Sequence, residues 1–166
     1  MNLRSRLLSN FDSKTIMKFY DRCSDFFDMT LGEQPKDCHD LLTDLPPNCI
    51  KEHKQVIGYF DEENILRVVV DIVDHYPNQE TTIIGLILVD PKLRRLGLGN
   101  SIIDRLEKDA VYRGQSRMRV AVIEENLPSL NLWKKRGYRH VKTTEPKKHG
   151  KKEHKLLVYE KELTLE

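Results

Sequence analysis

The sequence predicts an α/β fold, a single domain in which helices pack on one mixed β-sheet. Three observations predict it. At 166 residues the chain can bury one sizeable core but not two. Its middle third holds β-branched runs separated by turn residues, as antiparallel strands do. From Thr81 to Ile123 a strand, a helix and a second strand succeed one another, which predicts a right-handed parallel crossover.

The elements follow in order. Ile16, Phe19, Tyr20, Cys23, Phe26 and Phe27 recur at helical spacing, predicting a helix over 13–32 that Asp12 or Ser13 caps and Gly32 stops. A short helix is expected over 36–42. Residues 44–48 form a loop, because two adjacent prolines neither continue a helix nor donate to a ladder. Strands are expected over 55–60, 65–73 and 81–89, the last two joined by a turn through Pro77 and Asn78. A helix from Gly99 to about Arg113 sets Ile102, Ile103, Leu106, Ala110 and Val111 on one side, with Gly114 at its end. Residues 118–123 alternate as a strand. Pro128 opens another helix, which Gly137 ends. Strands over 138–143 and 156–161 close the sheet as a hairpin. Its basic tip, K-K-H-G-K-K-E-H-K, carries His149 and His154 and is expected to be solvated.

Composition narrows the function. Charged residues make up 33% and apolar residues 39%, a soluble globular balance. The N-terminus lacks the apolar run of a signal peptide, and no stretch approaches the roughly 18 apolar residues of a membrane span. Cys23, Cys38 and Cys49 are odd in number and lack metal-ligand spacing, so reduced thiols, a cytoplasmic location and no metal are expected. Residues 10–80 carry 15 Asp+Glu against 7 Lys+Arg, and residues 81–166 carry 11 against 19. An acidic half beside a basic half suits a polyanion on one side and a cation on the other. Most of these charges are equally explained as solubility charge.

The segment Ile83–Ser101, I-I-G-L-I-L-V-D-P-K-L-R-R-L-G-L-G-N-S, carries the most chemistry. It reads as a buried strand, a tight turn and a helix start, where bare N–H groups and the positive end of the macrodipole favour an anion. Gly97 and Gly99 allow close backbone approach, and Arg94 and Arg95 offer charge-assisted hydrogen bonds. A phosphate-bearing cofactor is the expected ligand. A Rossmann site is not, because Ile102 stands where the third glycine would fall.

The segment R-R-L-G-L-G, Arg94 to Gly99, resembles the acyl-CoA pyrophosphate loop of the GNAT N-acetyltransferases, [Q/R]-x-x-G-x-[G/A]. The segment N-L-P-S-L-N-L-W-K-K-R-G-Y, Asn126 to Tyr138, resembles that superfamily's second cofactor motif, N-x-x-[A/S]-x-x-x-[Y/W]-x-x-x-G-[F/Y]. The turn L-P-P-N and the stretch V-D-I-V-D-H-Y-P resemble a bacterial subgroup with small substrates. The resemblance implies a GNAT-like fold over residues 1–166, with an acceptor-side half of about 1–80 and an acyl-CoA-binding half of about 81–166. It implies that the two parallel strands splay at their C-terminal ends. The pantetheine arm of acetyl-CoA would bond the backbone around Ile87, Leu88 and Val89, and the pyrophosphate would sit on the N–H groups of Leu96, Gly97, Leu98, Gly99, Asn100 and Ser101. Asn126, Ser129 and Trp133 would complete the cofactor side. A backbone N–H near Leu88 or Val89 would polarise the acetyl carbonyl. A small-molecule amine would attack directly, without a covalent enzyme intermediate.

The sequence departs from the pattern in two places. In many relatives a tyrosine protonates the leaving thiolate where this chain has Trp133, whose indole donates but does not ionise usefully. Trp133 reads equally as a packed core aromatic. Some relatives carry a glutamate where this chain has Ile83. Asp71 and Asp74, on the adjacent strand, are the leading candidates for the base, ahead of His75, Glu124 and Glu125. Their other reading is as surface charges or turn formers. A non-catalytic acyl-CoA-binding or sensing module is the alternative function. Nucleic-acid binding through the basic tip is disfavoured, since no aromatic residues interleave its lysines. A homodimer through an exposed edge strand is open.

Overall fold

The mixed sheet is set by how its strands pair. The structure, a computed structural model, describes residues 2–164; Met1, Leu165 and Glu166 of the expected 1–166 domain lie outside the described residues. Its elements are β1 (Arg4–Leu7), α1 (Ser13–Arg22), α2 (Ser24–Thr30), α3 (His39–Thr43), β2 (Lys54–Phe60), β3 (Leu66–Asp74) and β4 (Thr81–Val89). They continue with α4 (Leu98–Tyr112), β5 (Arg117–Ile123), α5 (Leu127–Lys135), β6 (Arg139–Thr143), β7 (Lys147–His149), β8 (Lys152–His154) and β9 (Leu156–Glu162). Seven strands form the sheet in the order β1-β2-β3-β4-β5-β9-β6, and β7 and β8 make a separate two-stranded ribbon. β4 and β5 are its parallel pair.

Three elements differ from expectation. β1 is not legible in the sequence, because R-S-R-L is exposed along its length and shows no apolar alternation; it pairs antiparallel with β2 from Arg4–Phe60 to Leu7–Ile57. The helix expected over 13–32 breaks at Cys23, a fully buried residue that ends α1 and precedes α2. The basic tip, expected as the solvated end of a hairpin, is a two-stranded ribbon of its own, β7 against β8.

The sheet has a core on each face. Val68, Val70 and Ile72 of β3 pack with Ile102, Ile103 and Leu106 of α4 and with Leu130 and Trp133 of α5. Val69 of β3 and Leu88 of β4 point the other way, onto Ile16, Phe19 and Phe27 of α1 and α2. The period of two along β3 divides its residues between these layers. Asp90, at the end of β4, ties them together. Its buried carboxylate accepts from Arg22 Nε of α1 and from an Arg67 guanidinium nitrogen of β3, each at 2.9 Å, and from Lys92 N at 3.0 Å.

Candidate active site

The parallel pair is the origin of the site. β4 and β5 register from Thr81–Arg117 to Ile84–Val120 and then part, although both strands continue. Opposite this point the β3–β4 register jumps between Asp71 and Ile72, which leaves Gly85 as the extra residue of a bulge. A bulge bends its strand, so β4 swings away from β5 where Gly85 begins. The gap is a cleft of about 320 Å³. Ile84–Ile87 and Val120–Ile123 form its walls, Asn126, Ser129 and Trp133 meet it from α5, and Phe26 and Thr30 meet it from α2. Since α5 and α2 cover opposite faces of the sheet, the cleft can admit one ligand from each face.

Beside the cleft lies the α4 N-terminus. Its N-cap is Gly97, at φ 78°, with no side-chain cap bond, and the first turn bond runs from Ser101 N to Gly97 O at 3.3 Å. The N–H groups of Leu98, Gly99 and Asn100 therefore precede the helical ladder. A β-carbon at Gly97 or Gly99 would meet nothing within 4 Å, so the loop presents open backbone with room for a phosphate. Arg95, at φ 66°, is exposed next to it.

Other residues of the loop are already engaged. Arg94 is expected from the sequence to bond phosphate, but its guanidinium pairs with Asp25 of α2 and donates to Val89 O at 3.0 Å. It pins the loop to α2 instead. Asn100 accepts from Arg136 at 3.2 Å through its side chain, and Arg136 also reaches Asp104 at 2.6 Å. The end of the second motif thus braces the helix that the first motif opens. Ser101 Oγ donates to Leu98 O at 2.9 Å.

Within the cleft, the second motif's residues have separate tasks. Asn126 Oδ1 accepts from Ser129 N at 3.3 Å and caps α5, a role that suits Asn at a helix start. Trp133 combines its two readings: it is 2% exposed, packed edge-on against Tyr138 at 4.8 Å, and it lines the cleft. Ile87, Leu88 and Val89 lie on β4 beyond the last β5 pair, so that edge is free of strand partners apart from Arg94 on Val89 O.

Asp71 and Asp74 part company. Asp71 pairs with Leu86 across the bulge, and its Oδ2 lies 3.0 Å from where a Gly85 β-carbon would be. Its Oδ1 accepts from Lys54 Nζ at 2.8 Å, in a pair only 15% and 4% exposed. Burial pushes its carboxyl above the usual carboxylate range, against the opposing pull of Lys54. Asp74 lies at the other end, opposite Thr82, where β4 and β5 are still joined. Its carboxylate accepts from Arg113 at 2.7 and 2.9 Å and from Thr82 Oγ1 at 2.6 Å. Burial alone would raise its pKa, but these bonds outweigh it and hold the group below the ordinary value. The expected position of Asp74 beside the cleft is corrected: it is a structural ion pair.

The basic tip needs the largest correction. His154, expected to be solvated, is 4% exposed, with Nδ1 2.9 Å from Glu125 Oε2 and Nε2 2.9 Å from Thr30 O. Lys151 N donates to Leu31 O at 2.8 Å, and a β-carbon at Gly150 would come within 2.7 Å of that same oxygen. The ribbon is therefore docked on the end of α2, and His149 lines the cleft. Thr30 also escapes the sequence reading as a site residue, whereas Phe26 is expected as core or cleft wall and lines the cleft. No local signal marks this docking beyond the glycine between His149 and Lys151 that the close approach needs.

Known proteins place this geometry. The chain superposes on an acetyltransferase from Thermus thermophilus with a TM-score of 0.80 at 20% identity, over 98% of each chain. An acetyltransferase of the GNAT family from Staphylococcus aureus matches at 0.72 and 12% identity, over 98% of this chain and 100% of that one. The ribosomal-protein-S18-alanine N-acetyltransferase from Escherichia coli matches at 0.66 and 13% identity, over 99% and 96%. At such identities the likeness is one of fold. Sequence carries the assignment further: the acetyltransferase (GNAT) family model matches residues 16–138, a span holding the segments Arg94–Gly99 and Asn126–Tyr138 and both strands of the parallel pair, and the chain belongs to that family.

Proposed function

We propose that this protein transfers the acetyl group of acetyl-CoA to a primary amine of a small molecule by direct attack within a ternary complex. One observation carries the reading: the parallel strands part after Ile84 and Val120 beside a helix start whose first N–H groups have no side-chain cap. A pyrophosphate on Leu96–Ser101 would direct the pantetheine arm along the free edge of β4. The N–H near Leu88 or Val89 would then face the acetyl oxygen and stabilise charge as it develops there.

The acceptor would enter from the α1–α2 layer, where the acidic half of the chain favours a cation. An ammonium must lose a proton before it attacks. Asp71 is the carboxylate at the bend, and its raised pKa makes it a stronger base than an exposed aspartate. Cytoplasmic residence agrees with three free cysteines. The edge strands β1 and β6 leave room for a homodimer.

The test is free-thiol release from acetyl-CoA across amines, polyamines, amino acids, aminoglycosides and lysine peptides. Release that depends on a small amine supports the reading. Release with lysine peptides alone would replace the small acceptor with a protein one. Binding of acetyl-CoA without release on any acceptor would favour an acyl-CoA sensor.

A further inference from the structure

Trp133 stands where an ionisable thiolate donor would serve the reaction, and an indole cannot lose and regain a proton near neutral pH. The cleft contains another group that can. The His149 ring, at the end of β7, lines the same cleft as Trp133, Asn126 and Gly85. Its Nε2 is shielded from solvent, and among the described residues it has no hydrogen-bond partner. A buried ring nitrogen without a partner is unfavourable unless a ligand completes it.

The ring has a fixed neighbour. The neighbouring His154 ring lies 5.9 Å away, fixed by Glu125 on one nitrogen and Thr30 O on the other. Both ring nitrogens of His154 are thus occupied by oxygen partners.

We propose that His149 carries the proton released by the attacking amine to the sulfur of the departing CoA. The inference rests on the transferase reading above. As the N–C bond forms at the thioester carbon, the proton on that nitrogen passes to Nε2. The C–S bond then breaks with its electron pair on sulfur, and the Nε2 proton moves to the thiolate. The ring ends neutral, as it began, and nothing is oxidised. Asp71 has a different task, since it takes the earlier proton, the one that converts ammonium to amine.

The surroundings fit a ring that starts neutral. Burial, then His154 and Lys147, push the His149 pKa below its ordinary value of 6.5. From the segment after α2, Glu33 approaches Gly150, with Oε2 3.1 Å from where a β-carbon would be. From the β5–α5 turn, Glu125 is spent on His154. A neutral ring accepts a proton, and an imidazolium with a lowered pKa gives it up readily.

The experiment uses the full chain and the best amine from the thiol-release panel, comparing wild type with His149→Gln and His149→Ala. Gln keeps neutral hydrogen bonding but does not titrate. The proposal expects kcat to fall on the order of 10²-fold in both, with the KM of acetyl-CoA within about twofold and the melting temperature unchanged. It also expects the acidic limb of the wild-type kcat profile below pH 6.5 to vanish in His149→Gln. Wild-type kcat and pH profile in His149→Gln would overturn it. A change confined to the KM of acetyl-CoA would make His149 a pantetheine contact, and one confined to the KM of the amine would make it a recognition residue; either overturns proton transfer. No release by the wild type on any acceptor removes the transferase reading itself, and the proposal falls with it.

Discussion

Gly85 lies against the Asp71 carboxylate so closely that a β-carbon on Gly85 would come within 3.0 Å of Asp71 Oδ2. Asp71 cannot readily retreat, because Lys54 holds its other oxygen at 2.8 Å. The bulge, the opening of the parallel pair and the buried carboxylate thus meet at one residue, where any side chain would have to push the carboxylate aside.

Gly85→Val is expected to force that contact apart. Overpacking of this kind costs about 1–3 kcal/mol, read as a lower midpoint in urea unfolding. The added methyls would also enter the cleft. The KM of acetyl-CoA is expected to rise about tenfold or more, measured by thiol release on the purified variant. An unchanged KM would mean that the cofactor does not pass Gly85.

Asp71 and Asp74 predict opposite outcomes from the same substitution. Asp71→Asn is expected to lower kcat by about 10²–10⁴-fold, the usual worth of a positioned base. In the wild type the Asp71 pKa is raised, so kcat/KM should climb with pH through a value above 3.8, and Asn should abolish that limb. Asp74→Asn should leave kcat alone but remove a charge-assisted pair with Arg113, at a cost of about 2 kcal/mol at pH 7. Its folded pKa is depressed, so its stabilisation is full above the unfolded value and is lost as pH falls through the lower folded one. Urea unfolding at pH 7 and below pH 3.8 should show the wild-type advantage shrinking. An equal loss of kcat in both variants would assign the base wrongly.

The contrast between these aspartates also shows what the sequence carries. Their spacing along β3 places both on the strand beside β4, and the order of elements is legible because apolar periods, glycines and prolines act locally. Which end of the strand faces the opening depends on where β4 and β5 part, and that depends on a bulge at Gly85. Arg94 illustrates the same limit. Its position in a loop motif is readable, but its capture by Asp25, 69 residues away, is not. The docked ribbon is the extreme case: its lysines dominate its composition, while the His154 ring on Thr30 O, the Lys151 N–H on Leu31 O and the glycine beside it decide where it sits.

Gly99 offers the cleanest separation of binding from stability. A β-carbon there meets nothing within 4 Å in the free protein, and the position lies in the first turn of α4, before its N–H groups enter the helical ladder. Gly99→Val should therefore fold with a stability within about 1 kcal/mol of wild type, since neither packing nor a left-handed backbone is disturbed. The space it fills is the space a pyrophosphate would need against the N–H groups of Leu98, Gly99 and Asn100. Calorimetric titration is expected to show CoA binding weakened by about two orders of magnitude, because a phosphate pushed outward loses both its backbone hydrogen bonds and the end of the helix dipole. Gly97 makes the control. There φ is 78°, so Gly97→Val strains the backbone by about 1–2 kcal/mol as well as crowding the loop, and it should lose stability and affinity together. Undiminished CoA affinity in Gly99→Val would move the pyrophosphate away from the α4 N-terminus.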